Sequence, residues 1–173
     1  MHQQLIVRLS SCPYGNGQPA IDFEDITTDI FKFLFHPTHI DEPRVQTITT
    51  NPNRRRDIIL PVTAETGFFY QLSLFFSGDL ILVECKNYTN AITHTEILQV
   101  LDYLDRPSLA NIAFIVARNG INANATQTIK EKYLITGKLI IALTETDLLE
   151  ILNNHTDPIP LLRQKYQNQK INY

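Results

Sequence analysis

Glu84, Cys85 and Lys86 close the apolar run Leu80–Val83 with a carboxylate and an amine two residues apart, and Asp57 opens another apolar run twenty-seven positions earlier. Successive side chains of a strand alternate between faces, so Glu84 and Lys86 project together there while Cys85 turns into the opposite layer. If the two runs pair as neighbouring strands, Asp57 joins them. Two carboxylates with a backbone carbonyl, that of Cys85, make a hard, oxygen-rich site suited to Mg2+, with Mn2+ as a substitute; such an ion keeps several waters and also takes phosphate oxygens. Lys86 beside it would orient or deprotonate an attacking water, since a nearby cation lowers an amine's pKa. The chemistry this suits is hydrolysis of a phosphodiester. The alternative is that Asp57 caps a strand and Glu84 and Lys86 form an exposed strand-end ion pair worth about 0–1 kcal/mol.

Charge is unevenly distributed around these residues. Asp22 to Glu42 holds six acids and one base, and Pro43 to Pro61 holds four bases and one acid. Arg54, Arg55 and Arg56 lead directly into Asp57, where a guanidinium would flank the site and grip a phosphate bidentately. Arg118, at the exit of a later apolar run, is a second candidate phosphate contact or simply a strand-end charge. An acidic block followed by an arginine cluster fits a metal site beside a phosphate-binding edge, and equally a solvated helix face followed by a basic loop.

The elements that must position these groups follow from periodicity. Phe23, Ile26, Ile30, Phe33 and Leu34 recur at helical spacing before Pro37, which predicts a helix over 20–35. Arg44 to Thr50 and Asp57 to Val62 read as strands separated by the turn Asn51-Pro52-Asn53. Phe68, Phe69, Leu72, Phe75 and Phe76 mark a short buried helix. Leu80–Lys86, Ile112–Ala117 and Leu139–Leu143 read as core strands, separated by helices over 92–104 and 123–135. Thr144 caps a helix through Leu152, and Asp157-Pro158 opens a last one over 159–167. Apolar strands alternating with helices give an α/β domain with a central mixed sheet flanked by helices.

The Asp57 strand, the strand ending Glu84-Cys85-Lys86 and the helix after it together resemble the PD-(D/E)xK nuclease superfamily, the restriction-endonuclease-like fold, with Arg56-Asp57-Ile58-Ile59 standing where the superfamily carries Pro-Asp. Phe23-Glu24 is similar to the Phe-Glu of the Mrr-like branch, which implies a place for Glu24 near the metal. Gly67–Leu72, Glu84–Tyr88, Ile115–Gly120 and Gly137–Ile141 are similar, in order, to segments of bacterial defence effector nuclease domains. Gln99 and Tyr103 resemble the QxxxY element of some branches. One helical turn apart, they share a face on which Gln99 would hold Lys86 or a phosphate, or would simply be solvated. The resemblance implies Asp57, Glu84, Lys86, Glu24 and Gln99 as catalytic residues and Asp57, Glu84 and Cys85 as the Mg2+ ligands. Arg54, Arg55, Arg56, Arg118 and Tyr103 become the nucleic-acid contacts. It further implies DNA as substrate, a homodimer, a partner protein supplying target recognition or activation, and a role in restriction or anti-phage defence. A ribonuclease, or a silent binding module on the same fold, is the competing expectation.

Composition bounds these readings. At 173 residues, 43% hydrophobic and 19% charged, the chain is long enough to bury roughly 70% of its unfolded surface without staples. The expected division is an N-terminal extension over 1–19 and a nuclease domain over 20–173. Cys12 and Cys85 lack the spacing of a zinc or iron–sulfur site and suit a reducing compartment. No stretch approaches the roughly 18 apolar residues of a membrane helix, and a cytoplasmic location is expected. A net charge of −3 and a pI near 5.9 argue against a broad basic surface that grips nucleic acid by charge alone.

Overall fold

The computed structural model describes residues 1–47 and 56–171, with the backbone alone described at Gln46, Thr47, Arg56, Asp57 and Ile171. In chain order the elements are α1 (His2–Ser11), α2 (Gln18–Phe35), β1 (Arg44–Thr47), β2 (Arg56–Pro61), α3 (Gly67–Phe75), β3 (Leu80–Lys86), α4 (His94–Tyr103), β4 (Ile112–Ala117), α5 (Ala123–Thr136), β5 (Leu139–Leu143), α6 (Glu145–Asn153) and α7 (Ile159–Ile171).

The strands lie in the order β1-β2-β3-β4-β5. The first two joins are antiparallel and the last two parallel, so β3 is the strand at which the sheet changes sense. A parallel step needs a crossover, and α4 and α5 supply the two that the β3–β4–β5 half requires. Both pack on one face, where Ile97, Val100, Leu101, Ala125 and Ile129 meet Ile59, Leu82, Ala113, Ile115 and Ile140. The opposite face carries the larger core, in which α1, α2, α3, α6 and α7 cover Ile58, Leu60, Ile81, Val83, Phe114, Val116 and Ile141. With helices on both sides, β4 is buried at all six positions, which is why its sequence reads as an unbroken apolar run.

Local chemistry explains the helix ends. Pro19 sits in the first turn of α2, where no intrahelical partner for its missing N–H is needed. Thr93 with Glu96 and Thr144 with Asp147 form capping boxes at the starts of α4 and α6. Gly137 ends α5 in the left-handed conformation, at φ 71°. At Gly78 a Cβ would come within 2.7 Å of the Ala110 Cα, so only glycine allows the close approach of the chains leading into β3 and β4.

The α/β architecture with a mixed central sheet is as expected, and each predicted strand and helix has its counterpart. The last helix runs to Ile171 rather than to 167, and the part of the first strand beyond Thr47 lies outside the described residues. The reading of 1–19 as an extension did not anticipate α1. That helix buries Leu5 and Leu9 in the main core, yet its four apolar residues fall within Leu5–Leu9, with Val7 exposed, which leaves little periodicity to read. Among the described residues no helix is long and apolar enough to cross a membrane.

Candidate active site

The strand that carries the candidate site alternates as its period demands. Ile81, Val83 and Cys85 turn to the five-helix side. Leu82 turns to the α4 side, and Glu84 and Lys86 follow it by alternation. Lys86 Nζ donates to Glu84 Oε1 across 2.6 Å, and each side chain is only 4% exposed. The exposed strand-end pair is therefore not what the chain builds. The second carboxylate oxygen, Glu84 Oε2, is buried and has no hydrogen-bond partner among the described residues. A buried carboxylate oxygen stripped of water and given no donor is costly, and a hard cation is one group that would satisfy it.

Two further acids approach this strand end. The register Ile58↔Val83, Ile59↔Leu82, carried one residue further, sets Asp57 across from Glu84 in the antiparallel pair; the Asp57 side chain lies outside the described residues. Glu24 comes from α2, on the other side of the sheet, and its Oε1 is buried. Burial first, then the nearby Glu24 carboxylate, push the Cys85 thiol well above its ordinary pKa, and Glu84 adds to the effect. Glu24 thus lies close enough for its charge to act on Cys85, while Glu84 leaves β3 on the α4 side by alternation. Among the described residues no three His, Cys, Asp or Glu side chains cluster closely enough to hold a metal.

The start of α4 borders Lys86. Thr93 donates to Glu96 Oε2 through its backbone N–H and its hydroxyl, both at 2.8 Å. Burial would raise the Glu96 pKa, but these hydrogen bonds, helped by the charge of Lys86, outweigh it and hold the carboxyl below its usual range. Gln99 stands one turn further along α4 and is half-buried. Tyr103 stands seven residues beyond Glu96, about 10 Å along the axis at 1.5 Å per residue, with the Arg106 guanidinium 5.0 Å over its ring. It stands at the C-terminal end of α4.

No protein-family model matches the chain, and no curated protein does. Among solved structures, the restriction endonuclease FokI bound to DNA superposes with a TM-score of 0.54 at 12% identity, over 96% of this chain and 29% of that one. A structure of the restriction endonuclease FokI superposes with a TM-score of 0.50 at 13% identity, over 96% of this chain and 30% of that one. The fold is restriction-endonuclease-like. The chain spans less than a third of the FokI chains it matches.

Within this restriction-endonuclease-like fold one expected phosphate contact is corrected. The Arg118 side chain is 2% exposed, and all five of its N–H donors are engaged inside the protein. Nε donates to Glu145 Oε2 at 2.6 Å, Nη1 to Cys12 O at 2.8 Å and Asn87 Oδ1 at 3.1 Å, and Nη2 to Leu9 O at 3.3 Å and Glu145 Oε1 at 3.5 Å. The Tyr14 ring covers it, 3.8 Å from centroid to guanidinium carbon. Burial opposes its charge, yet the Glu145 carboxylate more than offsets this and raises its pKa. A guanidinium so enclosed has no donor left for a phosphate. Arg54 and Arg55 lie outside the described residues, and Arg56 is placed only by its backbone, opposite Thr47 at the start of β2.

Sequence reasoning passed over Asn87, Glu96, Tyr14 and Glu145. The Glu96 role was readable, because Thr93-x-x-Glu96 is a capping-box pattern. The other three depend on contacts between segments that no spacing rule connects.

Proposed function

We propose that this chain is a metal-dependent nuclease that hydrolyses phosphodiester bonds in DNA, with Glu84, Lys86 and Asp57 at its centre. The single observation that carries the reading is the buried Glu84 carboxylate: one oxygen is held by Lys86, and the other, buried, accepts no hydrogen bond from the described residues. That donor set fits a divalent cation, with Glu84, Asp57 and the Cys85 carbonyl as ligands, and Mg2+ or Mn2+ bound there would neutralise charge developing on the phosphate. The FokI structure with DNA is the precedent for the substrate on this fold.

The chain's own residues have separable tasks. Glu84 holds Lys86 in one position through Oε1 and keeps Oε2 for the cation. Lys86 Nζ carries N–H donors beyond the one given to Glu84, and these orient the water whose oxygen bonds to phosphorus as a P–O ester bond breaks. Burial of both side chains keeps bulk water from competing for these groups. Glu24, from the other side of β3, adds negative charge at the strand end. Gln99, near the Lys86 end of α4, contacts the phosphate or Lys86. Arg8, Lys32, Arg44, Lys138 and Lys165 are each paired with a carboxylate of the protein; the reading draws its phosphate grip from Arg54, Arg55 and Arg56, which lead directly into Asp57. A homodimer would bring two such sites to two strands, and a partner protein would supply target choice in restriction or defence.

The test is incubation with supercoiled plasmid, linear DNA and RNA in Mg2+, Mn2+ or EDTA, beside Glu84→Gln and Lys86→Met. Cleavage of DNA that needs the cation and is lost in both variants is the expected result. Cleavage of RNA alone would make the chain a ribonuclease, and no cleavage in any condition would leave a binding module on this fold.

A further inference from the structure

A polar network of Asn87, Arg118 and the segment 12–19 lies at the exit of β3, on the side of the strand opposite the Glu84–Lys86 pair. Asn87 follows Lys86 directly and is 3% exposed. Its Nδ2 donates to Pro13 O and Pro19 O, both at 2.9 Å, and to Gly15 O at 3.4 Å. Its Oδ1 accepts from Arg118, and its backbone carbonyl accepts from Gly15 N at 3.0 Å. Arg118 in turn donates its backbone N–H to Lys86 O at 3.0 Å, while its side chain holds the C-terminal end of α1 through Leu9 O and Cys12 O. The peptide joining Lys86 to Asn87 is thus gripped from two sides, by β4 and by the segment 12–19.

Resting on the nuclease reading above, we propose that Asn87 and Arg118 are positioning residues for that site: with α1 and the segment 12–19 they form a strap that fixes the strand end from which Lys86 reaches Glu84. The physical reason is alternation. Lys86 and Asn87 leave the backbone in opposite directions, so the backbone between them can rotate, swinging Lys86 away from Glu84, only if the Asn87 amide gives up its carbonyls or Lys86 O gives up the Arg118 N–H. Nothing in this arrangement requires Asn87 or Arg118 to touch substrate. The amide is satisfied by three backbone carbonyls and by Arg118, and the guanidinium by Glu145, Asn87 and two carbonyls. The N-terminal segment therefore belongs to the site's foundation, although it contributes none of its reactive groups.

The experiment is side-chain 15N NMR of lysine ammonium groups in the full chain, with the Lys86 signal identified by its loss in Lys86→Arg. Asn87→Ala and Arg118→Lys are compared with Leu162→Ala, a core truncation in α7 that lowers stability without touching the strap. The expected result is an unchanged Lys86 signal in Leu162→Ala and a shifted or lost signal in the two strap variants. Their DNA cleavage should show kcat at least tenfold lower and KM within twofold of the parent. If Arg118→Lys does not fold, Asn87→Ser, which keeps a hydroxyl donor for one of the three carbonyls, carries the same comparison. An unchanged Lys86 signal in the folded strap variants, or the same change in Leu162→Ala, overturns the positioning role. A parent chain that cuts no nucleic acid overturns the nuclease reading instead, and the Lys86 signal still decides whether the strap sets the pair.

Discussion

Lys86 Nζ and Glu84 Oε1 are joined across 2.6 Å with both side chains 4% exposed, a fully desolvated ion pair within a strand whose other residues are almost all apolar. Such pairs are poor stabilisers, because removing both ions from water costs several kcal/mol that their attraction barely repays. Under the proposed nuclease reading its presence serves chemistry rather than folding.

That asymmetry predicts opposite outcomes for single and double replacement. Lys86→Met alone, which leaves the Glu84 carboxylate buried without its donor, should lower the unfolding free energy by about 3–5 kcal/mol. Glu84→Leu combined with Lys86→Met should be within about 1 kcal/mol of the parent or above it. Urea unfolding of the two proteins checks this, and a double variant weaker than the single one would contradict it.

The cap of α4 gives a pH-resolved prediction. Thr93→Ala removes the side chain that accepts from Thr95 N and donates to Glu96, and should cost about 1 kcal/mol. Glu96 has its folded pKa held below the ordinary 4.5. Its contribution is therefore fully present above pH 4.5 and is lost as pH falls through the folded value. Melting curves between pH 7 and 3 should show Glu96→Gln losing less stability on acidification below 4.5 than the parent does.

The arginine cluster should govern affinity through salt. Replacing Arg54, Arg55 and Arg56 with alanine should weaken DNA binding across sequences. The slope of log K against log salt should fall by about 0.9 for each arginine that contacts a phosphate. Fluorescence anisotropy over a salt series reads both effects. An unchanged slope would place the phosphate grip elsewhere.

The larger core has an aromatic centre at Phe69, fully buried, with Phe35 at 4.9 Å and Phe68 at 5.7 Å between ring centroids. Phe69→Ala should destabilise the domain by about 3–5 kcal/mol, measured as a lower denaturant midpoint with little change in slope.

The parts of this architecture legible in the sequence are those governed by local period. Leu80–Lys86 reads as a buried strand because apolar side chains fill both of its faces, and the same period of two sets Glu84 and Lys86 together. The helices after β3 and β4 show their apolar stripes and their caps. What was not legible depends on partners far along the chain. Arg118 at a strand exit looks like a free cation until Glu145, Cys12 and Leu9 are seen around it. The helix α1 hides because Leu5 and Leu9 are its only fully buried residues. Glu24 was placed near the metal by resemblance alone; that its charge acts on Cys85 follows only from the packing of α2 on β3.

The most direct test of the account is a calorimetric titration with Mn2+ of the parent chain, Asp57→Asn and Glu84→Gln, with folding of each checked by circular dichroism. The account predicts that the parent binds the ion and that each variant binds it at least tenfold more weakly, because Asp57 and the open oxygen of Glu84 share it. A parent that binds no divalent cation, or folded variants that bind as the parent does, would contradict the central claim.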